Sequence, residues 1–488
     1  MPERRLPDFA CTANAIAWHA RHAPDNVAVV EQGRRITYRQ LATDLTSHVR
    51  FLRERDVRHD MLVGIEAAGA FYAQTLMFLA GEVIGVTATA FRRTDLVNDD
   101  PVLPDCDLLL VRTPPPSARQ PLLVVPDDVA AGSKADTAAT EPVDLEEQPG
   151  SGRIVRISRT SGSTGRAKAV PITYAVQQDI INNRIRQLPD AIAPAPRFLC
   201  IYGVNIRASY TRVYATLLTG GTVIFAHGQQ VPYLLTSGTA NWLALIAGSA
   251  ELLVREVSAP PDGMPLLVEL IGARSSPALR RLVRTRLNAI VRSNYSSNEV
   301  NTIATTDEDE LAAAILPDVS VRIVDEAGND KALGETGLIR VRTSTMATGY
   351  WNEPALTAAA FIDGWYHTND LGYMPEPGKL VVLGRADDML NIGGIKLAPG
   401  PLEDEIKQLP GVRDAALLGI TRELGLDSLL VAVEIDGTLP LDFRARIAPI
   451  LNRYVGKFDI LPLPSFPRTE NGKIRRSEIA AAFRRSFG

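Results

Sequence analysis

The sequence predicts an α/β protein with more than one domain. It has 488 residues, of which 45% are hydrophobic and 22% are charged, a composition typical of a packed globular protein. Because a single hydrophobic core stops growing near about 250–300 residues, we expect at least two domains. From residue 153 onward, strand-like and helix-like patterns alternate along the chain, and this alternation favours a sheet with helices against its faces.

The N-terminal part of the chain shows the same two kinds of pattern. VAVV at 27–30 is strand-like, and residues 36–55 carry apolar residues at helical spacing. Residues 67–91 form the most apolar stretch, but Gln74 and Glu82 interrupt it. Neither part of it reaches the roughly 20 apolar residues of a membrane span. We therefore expect a buried helix there, followed by a strand.

The middle of the chain begins with a connection and continues with the alternating elements. Residues 114–150 are rich in Pro, Ala, Asp and Thr, which is typical of an exposed connection. The patterns after it predict strands at 153–158, 222–225 and 266–272, and helices at 173–188, 241–257 and 276–287.

The pattern changes again after about residue 318. Short strands with Gly-containing turns predict a β-rich subdomain. The last segments, which predict a small α+β unit of about 100 residues, are PLEDEIKQL, DAALLGI, SLLVAVEI and RARIAPILNRY. The predicted fold class is therefore α/β, with a large N-terminal α/β domain, a β-rich subdomain and a small α+β C-terminal domain.

Charge, cysteines and the N-terminus exclude several classes of protein. A formal net charge of −4 creates no global attraction to nucleic acid or to an anionic membrane. A nucleic-acid-binding role would rest only on the basic stretch at 443–488, so we set it aside. Cys11, Cys106 and Cys200 lie far apart, as is typical of a reducing compartment. Since the N-terminus has no apolar signal-peptide core, we expect a cytoplasmic protein without nucleic-acid or membrane partners.

A loop rich in Ser, Thr and Gly follows the strand predicted at 153–158. Its glycines let the backbone approach an anion closely, its hydroxyls can donate hydrogen bonds, and its lysine adds positive charge. It is neither a Walker A loop nor the GxGxxG turn of a dinucleotide fold. Alone, such a loop is more often a flexible connection than a phosphate site. The loop reads Thr160-Ser161-Gly162-Ser163-Thr164-Gly165-Arg166-Ala167-Lys168.

Six further segments accompany this loop, and they follow it in order along the chain. They are Tyr295-Ser296-Ser297-Asn298-Glu299, Gly334-Glu335-Thr336-Gly337, Trp365-Tyr366-His367-Thr368-Asn369-Asp370, Gly384-Arg385-Ala386-Asp387-Asp388, Gly393-Gly394-Ile395-Lys396 and Pro467-Arg468-Thr469-Glu470-Asn471-Gly472-Lys473. With the loop, they resemble the signatures of the adenylate-forming superfamily, which contains acyl-CoA synthetases, adenylation domains and luciferases. The resemblance covers almost the whole chain and is nearest to stand-alone aryl- or acyl-acid ligases.

The resemblance implies a two-step reaction and a mobile lid. A substrate carboxylate attacks the α-phosphate of Mg-ATP, which gives an acyl-adenylate and pyrophosphate, and a thiol then attacks the adenylate. Between the two steps the small C-terminal domain rotates about a hinge, and Asp387 matches that hinge. We therefore expect an adenylation core over 1–385 and a lid domain over 386–488, with the active site between them.

The resemblance also implies which residues contact ATP. Tyr295 would stack on adenine, and Asp370 would accept hydrogen bonds from the ribose hydroxyls. Asn298 would lie near the α-phosphate, and Arg385 would lie near the ribose and the phosphates. The β- and γ-phosphates would be held by the loop, through Thr160, Ser161, Gly162, Ser163, Thr164, Gly165 and Lys168.

Two residues match the family's catalytic positions. Glu299 would hold Mg²⁺, a hard cation that prefers carboxylate and phosphate oxygens. Lys473 matches the lysine that reaches into the cleft and stabilises the charge between the carboxylate and the α-phosphate. Gly393 and Gly394 would leave room for the phosphopantetheine arm of coenzyme A or of a carrier protein.

Four positions depart from the family pattern. Ala167 replaces a proline of the phosphate loop, and Ser296 replaces a glycine. Asn298 replaces a Thr or Ser, and its amide can still donate a hydrogen bond. Asn369 stands where the family has glycine, and asparagine tolerates left-handed backbone angles well. We still expect adenylate formation with these four changes. The sequence gives less support for the second half-reaction.

The acyl pocket specifies its substrate only coarsely. Asn205 stands where activators of α-amino acids place an Asp for the ammonium group, so it resembles the aryl-acid activators instead. Val204 replaces their aromatic or His residue. Other residues predicted to face the pocket are Arg207, Tyr210, Gly272, Ala273 and Arg274. We expect a small aromatic or polar carboxylic acid.

The acyl acceptor stays open at this stage. Coenzyme A is the first alternative, and a separate carrier protein with a phosphopantetheine arm is the second, because both present the same thiol. A nitrogen acceptor is a third. A catalytically silent adenylate-binding protein is the alternative from another class, and the joint presence of Lys473, Glu299 and Asp370 counts against it.

Overall fold

The structure is a computed structural model. It describes residues 9, 11–67, 70–97, 100–116, 118–126, 150–160, 167–226, 228–257, 259–261, 263–272, 275–307, 310–392, 395–421, 427–435, 439–452, 455–468 and 474–487.

These residues contain twelve α-helices, which we number in chain order. They are α1 Thr12–His22, α2 Tyr38–Arg53, α3 Phe71–Ile84, α4 Tyr174–Arg186, α5 Arg207–Leu218, α6 Gln230–Thr236, α7 Ala247–Glu256, α8 Pro277–Leu287, α9 Pro354–Ala360, α10 Pro399–Ile406, α11 Phe443–Leu451 and α12 Arg476–Phe487.

The strands of the same part of the chain are numbered likewise. They are β1 Val27–Glu31, β2 Arg34–Thr37, β3 Leu62–Glu66, β4 Thr87–Phe91, β5 Leu108–Val111, β6 Leu122–Val124, β7 Ile154–Thr160, β8 Lys168–Thr173, β9 Arg197–Cys200, β10 Thr222–Phe225, β11 Trp242–Ile246, β12 Leu267–Ile271, β13 Ile290–Ser297, β14 Asn301–Thr306, β15 Ala313–Ile315, β16 Val319–Val324, β17 Gly337–Thr343, β18 Phe361–Ile362, β19 Trp365–Tyr373, β20 Lys379–Arg385, β21 Leu390–Ile392, β22 Ile395–Leu397, β23 Val412–Thr421, β24 Asp427–Ile435 and β25 Phe458–Leu463.

Local sequence explains where several helices begin and end. At the start of α2, Thr37 and Gln40 form a capping box, in which each side chain bonds the backbone N–H of the other. At the start of α8, the Ser276 side chain accepts from the N–H of Leu279. The same helix ends at Asn288, which has a left-handed φ of 47°. These caps fix the ends of two helices that lie within the helices predicted at 36–55 and 276–287.

Two large sheets form the N-terminal part. One has the strand order β16-β17-β19-β20-β15-β14-β13-β12-β11-β9-β10-β1-β2, and the other has the order β6-β5-β3-β4-β7-β8. Within the first sheet, neighbours from β13 to β1 pair in parallel, whereas β14 to β20 pair antiparallel. The predicted β-rich subdomain is therefore an antiparallel continuation of the parallel α/β sheet.

The C-terminal residues form a separate small α+β unit. Its sheet has the order β23-β24-β25, and α10 and α11 pack together in a hydrophobic cluster on that sheet. α12 contributes Ile479 to a second cluster with Ala416 and Leu430. The α/β fold class with a small α+β C-terminal domain is thus confirmed.

The prediction of one helix over 241–257 was wrong. Trp242–Ile246 forms β11, which pairs in parallel with β9 and β12, and only Ala247–Glu256 is helical. A strand of a parallel sheet is buried on both faces, so it reads as a continuous apolar run that periodicity cannot separate from a buried helix.

The most apolar stretch, by contrast, was predicted correctly. Residues 67–91 contain the buried helix α3 and the strand β4. None of the helices in the described ranges is long and apolar enough to cross a membrane. The connection predicted at 114–150 contains the short strand β6, which pairs with β5, and residues 127–149 lie outside the described residues.

A buried charged cluster joins the helices to the first sheet. Glu269, on β12, is 1% exposed. Its carboxylate accepts from Arg184 on α4 at 3.1 Å and from Arg212 on α5 at 2.7 Å. Trp242 on β11 donates to it at 2.6 Å, and Asn294 on β13 at 3.1 Å. Burial alone would raise the pKa of Glu269, but the two guanidinium groups hold the pKa below its ordinary value.

Candidate functional site

The candidate site lies at one edge of the first sheet. Because β9, β11, β12 and β13 are parallel neighbours, the segments that follow them leave the sheet at the same edge. Ligands of open α/β sheets bind at this carboxyl edge. The segment after β9 contains Asn205 and Arg207, Gly272 follows β12, and Asn298 and Glu299 follow β13. The topology thus gathers motifs that are up to about 95 residues apart in sequence.

Glu299 is held rigidly at this edge. The residue is 7% exposed, and its Oε1 accepts from the Tyr350 hydroxyl at 3.0 Å. Its backbone carbonyl accepts from the N–H of Ala347 at 2.7 Å, and its own N–H donates to the Ser297 hydroxyl at 3.2 Å. The turn between β13 and β14 therefore presents a fixed carboxylate.

The two ends of the Ser/Thr/Gly-rich loop meet near this carboxylate. Thr160, at the end of β7, pairs directly with Lys168, at the start of β8. The Lys168 ammonium lies 5.0 Å from the ring centroid of Tyr350, a favourable cation–π distance. Asn298 donates from Nδ2 to the backbone carbonyl of Arg159 at 3.4 Å. The loop ends, Asn298 and Glu299 are therefore neighbours in the structure.

Asp370 and Tyr295 form a second group. The Tyr295 hydroxyl donates to Asp370 Oδ2 at 2.5 Å, and Arg385 Nη1 lies 3.6 Å from Asp370 Oδ1. Burial raises the pKa of Asp370, whereas the Tyr295 hydroxyl and the Arg385 charge lower it. The charge of Glu299 raises the pKa of Asp370, so the two carboxylates belong to one electrostatic site.

The hydrogen bond to Asp370 orients Tyr295 through its hydroxyl. The Tyr295 ring packs against the apolar cluster that includes Ile303 and Tyr366.

Asn369 connects the site to the predicted hinge. Its φ is +60°, the left-handed value for which asparagine is the best-suited ordinary residue. Its Nδ2 donates to Asp387 Oδ2 at 2.5 Å. The substitution of the family's glycine thus preserves the turn and adds a side-chain hydrogen bond to Asp387, which is exposed.

The residues predicted for the acyl pocket differ in their surroundings. Asn205 is exposed, whereas Val204 and Arg207 are buried. Gly272 has a φ of +79°, which a side chain rarely adopts, and the position where its Cβ would be lies 3.8 Å from Ile246 at the end of β11. Gly272 therefore turns the chain at the carboxyl edge beside β11.

Several predicted site residues lie outside the described residues, and their roles stay predictions. They are Ser161, Gly162, Ser163, Thr164, Gly165, Ala273, Gly393, Gly394 and Lys473. Arg166 and Arg274 also lie outside the described residues.

The residues at this site fit a magnesium ion better than a metal ion whose ligands all come from the protein. Among the side chains that the structure describes, no group of three or more His, Cys, Asp or Glu residues could hold a metal. Mg²⁺ commonly takes one or two protein carboxylates and fills its other positions with water and substrate phosphates. The single fixed carboxylate of Glu299, beside the loop ends, suits that mode of binding.

Sequence reasoning missed Tyr350, and it gave no role to Tyr366, although that residue stands in one of the matching segments. The first orients Glu299, and both have raised pKa values, chiefly through burial and then through the Glu299 charge. Tyr350 lies 51 residues beyond Glu299 in the sequence, so no local spacing connects the two. Only the short Gly349-Tyr350-Trp351 run marked the segment, and it has no distinctive chemistry.

Comparisons with known proteins identify the family of this chain. The AMP-binding enzyme family matches residues 104–351, just over half of the chain. The chain is 27% identical to feruloyl-CoA synthase of Amycolatopsis sp over 504 residues, covering 96% of this chain and 97% of that one. It is 26% identical to the phenyloxazoline synthase MbtB of Mycobacterium tuberculosis over 497 residues. That match covers 95% of this chain but only 34% of MbtB, so the chain spans about a third of that relative.

Solved structures share the whole fold. ATP-bound MatB from Rhodopseudomonas palustris superposes with a TM-score of 0.81 at 21% identity, covering 98% of this chain and 100% of that one. The amide bond synthetase McbA from Marinactinospora thermotolerans gives a TM-score of 0.76 at 21% identity, covering 96% and 99%. With the family match, the ordered motifs and the site geometry together, the chain belongs to the AMP-binding enzyme family.

Proposed function

We propose that the protein uses ATP to adenylate a small aromatic or polar carboxylic acid and then transfers the acyl group to the thiol of coenzyme A. The observation that carries this proposal is the arrangement of Glu299. Its carboxylate and the Lys168 ammonium, at the end of the Ser/Thr/Gly-rich loop, both contact Tyr350, and the carboxylate acts electrostatically on Asp370. One site therefore combines a carboxylate for Mg²⁺, a cation for phosphates and an acceptor for ribose hydroxyls.

The proposed reaction has two balanced steps. In the first, a carboxylate oxygen of the acid forms a bond to the α-phosphorus of ATP, the bond to the β-phosphate oxygen breaks, and pyrophosphate leaves. In the second, the thiol sulfur forms a bond to the acyl carbon, AMP leaves, and the thiol proton passes to solvent. Both steps depend on holding the reacting atoms in line and neutralising phosphate charge.

Each site residue has a proposed part in this reaction. Asp370 accepts from the ribose hydroxyls, and the loop residues with Lys168 hold the phosphates. Glu299 holds Mg²⁺, which supplies Lewis-acid neutralisation of phosphate charge. Lys473 stabilises the charge that develops between the carboxylate and the α-phosphate.

The lid and the acceptor are parts of the same proposal. We place the adenylation core at 1–385, the lid at 386–488 and the hinge at Asp387, with Gly393 and Gly394 beside the thiol arm. The full-length similarity to feruloyl-CoA synthase supports coenzyme A as acceptor. The match to one third of MbtB supports a carrier-protein phosphopantetheine as the second candidate.

Acid-dependent exchange of labelled pyrophosphate into ATP tests the first step. Among aryl, alkyl and amino acids, we expect aryl or polar carboxylic acids to support exchange and α-amino acids to fail. Lys473→Ala is expected to abolish the signal, whereas Lys457→Ala, which changes an exposed lysine of the same C-terminal unit, is the matched control. Absence of exchange with every acid, despite ATP binding, would favour the catalytically silent protein.

Mass spectrometry of the products then identifies the acceptor. With the acid that gives the strongest exchange, we expect an acyl-coenzyme A product when coenzyme A is present. If the acyl group is transferred only to a phosphopantetheinylated carrier protein, or only to an amine, that acceptor takes the place of coenzyme A in the proposal. Such a result would not contradict the adenylation step.

The Tyr295–Asp370 hydrogen bond predicts a pH dependence of nucleotide binding. Because the Tyr295 hydroxyl favours the ionised carboxylate, Tyr295→Phe is expected to raise the pKa of Asp370. Protonation removes the ribose acceptor, so AMP affinity falls as the pH drops, and it should fall at a higher pH in the variant. A hydrogen bond to a charged group contributes about 1.5–3 kcal/mol, so we expect a shift of about 1–2 pH units.

Calorimetric titration of AMP from pH 4 to pH 8 measures this shift. Tyr373→Phe, which removes a hydroxyl further along the same strand β19, is the matched control and is expected to behave as the wild type. Identical pH profiles for Tyr295→Phe and the wild type would contradict a role for this hydrogen bond.

A further inference from the structure

One buried guanidinium group, that of Arg207, makes no hydrogen bond with the residues that the structure describes. Arg207 is the first residue of α5 and is 7% exposed. Its Nε, Nη1 and Nη2 atoms are all buried, and none of them makes a hydrogen bond within the part of the chain that the structure describes. A buried charge without a partner is costly to a folded protein, so this arrangement requires an explanation.

The other fully buried arginines do have partners. Arg184 and Arg212 bind Glu269. Arg156 donates to the carbonyl of Val204 at 3.1 Å, and Arg280 donates to the carbonyl of Ser275 at 2.7 Å. Each of these guanidinium groups makes at least one hydrogen bond or ion pair, whereas all three nitrogens of Arg207 lack a hydrogen-bond partner among the described residues.

The surroundings of Arg207 favour an anion. Tyr210 lies one turn further along α5, is fully buried, and has a hydroxyl without a hydrogen-bond partner among the described residues. The guanidinium carbon of Arg156 lies 3.8 Å from the Tyr210 ring centroid and adds positive charge. Two buried groups without hydrogen-bond partners among the described residues, Arg207 and the Tyr210 hydroxyl, therefore act electrostatically on each other, and Arg156 adds a second cation beside Tyr210.

The acidic groups near Arg207 do not form an ion pair with it. The charge of Glu299 acts on it, but the two form no ion pair, and Glu299 accepts instead from Tyr350. Glu82 acts on Arg156 and accepts from Gln177 at 3.0 Å. Burial lowers the pKa of Arg207, and the charges of Tyr210 and Glu299 offset this effect only in part. A bound anion would favour the charged guanidinium group.

The position of Arg207 connects it with the acid substrate. It belongs to the segment after β9 that also carries Asn205, at the sheet edge that holds Glu299. A monocarboxylic acid must direct its single carboxylate to the α-phosphate of ATP, so it leaves Arg207 unsatisfied. An acid with a second anionic group can direct one group to the α-phosphate and the other to Arg207.

We propose that Arg207, assisted by the Tyr210 hydroxyl, binds a second acidic group on the substrate, so that the preferred substrates are dicarboxylic acids or similar dianions. The inference rests on the proposed adenylation and names its substrate class. Arginine suits this task, because its planar donors match a carboxylate in a bidentate manner.

Paired acids that differ by one carboxylate provide the test. The pairs are phthalate with benzoate and succinate with butyrate, each titrated calorimetrically into the full chain saturated with a non-hydrolysable ATP analogue. We expect the wild type to bind at least one dianion roughly 30-fold more tightly than its partner, and Arg207→Met to lose that difference. Tyr210→Phe is expected to lose a smaller part of it.

Controls separate recognition from folding and from ATP binding. The midpoint temperature of thermal unfolding of Arg207→Met is expected to match or exceed that of the wild type, because the variant removes a buried charge that has no hydrogen-bond partner among the described residues. Its affinity for the ATP analogue is expected to stay within about twofold of the wild type. If Arg207→Met does not fold, Arg207→Lys, which keeps the charge but loses the bidentate geometry, is expected to weaken dianion binding and to spare the monoanions.

The outcomes distinguish this inference from the proposed function. Arg207-dependent dianion binding without pyrophosphate exchange would support the inference and contradict adenylation. Exchange with monoanions alone, at rates that Arg207→Met leaves unchanged, would overturn the inference and keep adenylation. Equal binding of both members of every pair, no binding of any dianion, or loss of ATP affinity with unchanged acid preference would each overturn the assignment of Arg207.

Discussion

Replacing Glu299 with glutamine is expected to reduce acid-dependent pyrophosphate exchange by about 10²–10³-fold, since Lewis-acid neutralisation of phosphate charge contributes several kcal/mol to such a reaction. Glutamine has almost the same shape and can still accept from Tyr350, so the turn after β13 should stay folded. What the variant loses is the negative charge for Mg²⁺. Exchange assays over a range of Mg²⁺ concentrations measure the effect, and thermal unfolding checks the fold.

Tyr350→Phe is the matched variant for this experiment. It keeps the Glu299 charge but removes the 3.0 Å hydrogen bond that orients the carboxylate. Removal of such an orienting partner typically costs about 10–100-fold in metal affinity or activity, so more Mg²⁺ should restore part of the exchange in Tyr350→Phe and little in Glu299→Gln. Wild-type exchange by Glu299→Gln at low Mg²⁺ would contradict the role of Glu299.

Replacing Glu269 with glutamine is expected to lower the free energy of unfolding by about 3–5 kcal/mol, the cost of removing one partner of a buried ion pair. The variant leaves Arg184 and Arg212 as uncompensated charges inside the protein. Urea titration, followed by the fluorescence of Trp242 and the other tryptophans, measures the loss. Glu299→Gln is the control, because its carboxylate forms no ion pair with either arginine.

The same cluster predicts a pH dependence of stability. The folded-state pKa of Glu269 lies below its ordinary value, so its contribution is present above the ordinary carboxyl pKa and is lost as the pH falls toward the folded-state pKa. The difference in stability between wild type and Glu269→Gln should therefore shrink on acidification. A difference that grows as the pH falls would contradict this assignment of the buried charge.

Much of the fold could be predicted because its elements carry local signals. The helix at 276–287 has a Ser cap and a Pro at its first position, and the buried helix within 67–91 is followed directly by its strand. The error at 241–257 arose where local signals are absent, since the parallel strand β11 and the helix after it form one apolar run. Tertiary pairing with β9 and β12 decided between the two.

The site was predictable only as far as its motifs are contiguous. Glu299, Asp370 and Lys168 stand in recognisable segments, and the structure brings these three together. Tyr350 could not be found, because its only connection with Glu299 is a contact across 51 residues of sequence. That Arg207 has no hydrogen-bond partner among the described residues is likewise a property of packing, and no sequence pattern indicates it.

The hydrogen bond from Asn369 to Asp387 bears on how long the enzyme would spend in each stage of its cycle. If the lid rotates at Asp387, this bond exists in one orientation and is absent from the other. A net contribution of about 1 kcal/mol corresponds to a roughly fivefold change in the ratio of the two populations. A glycine at position 369 could make no such contribution. The side chain that departs from the family pattern would therefore favour the lid orientation in which this hydrogen bond forms and would slow the change to the other one.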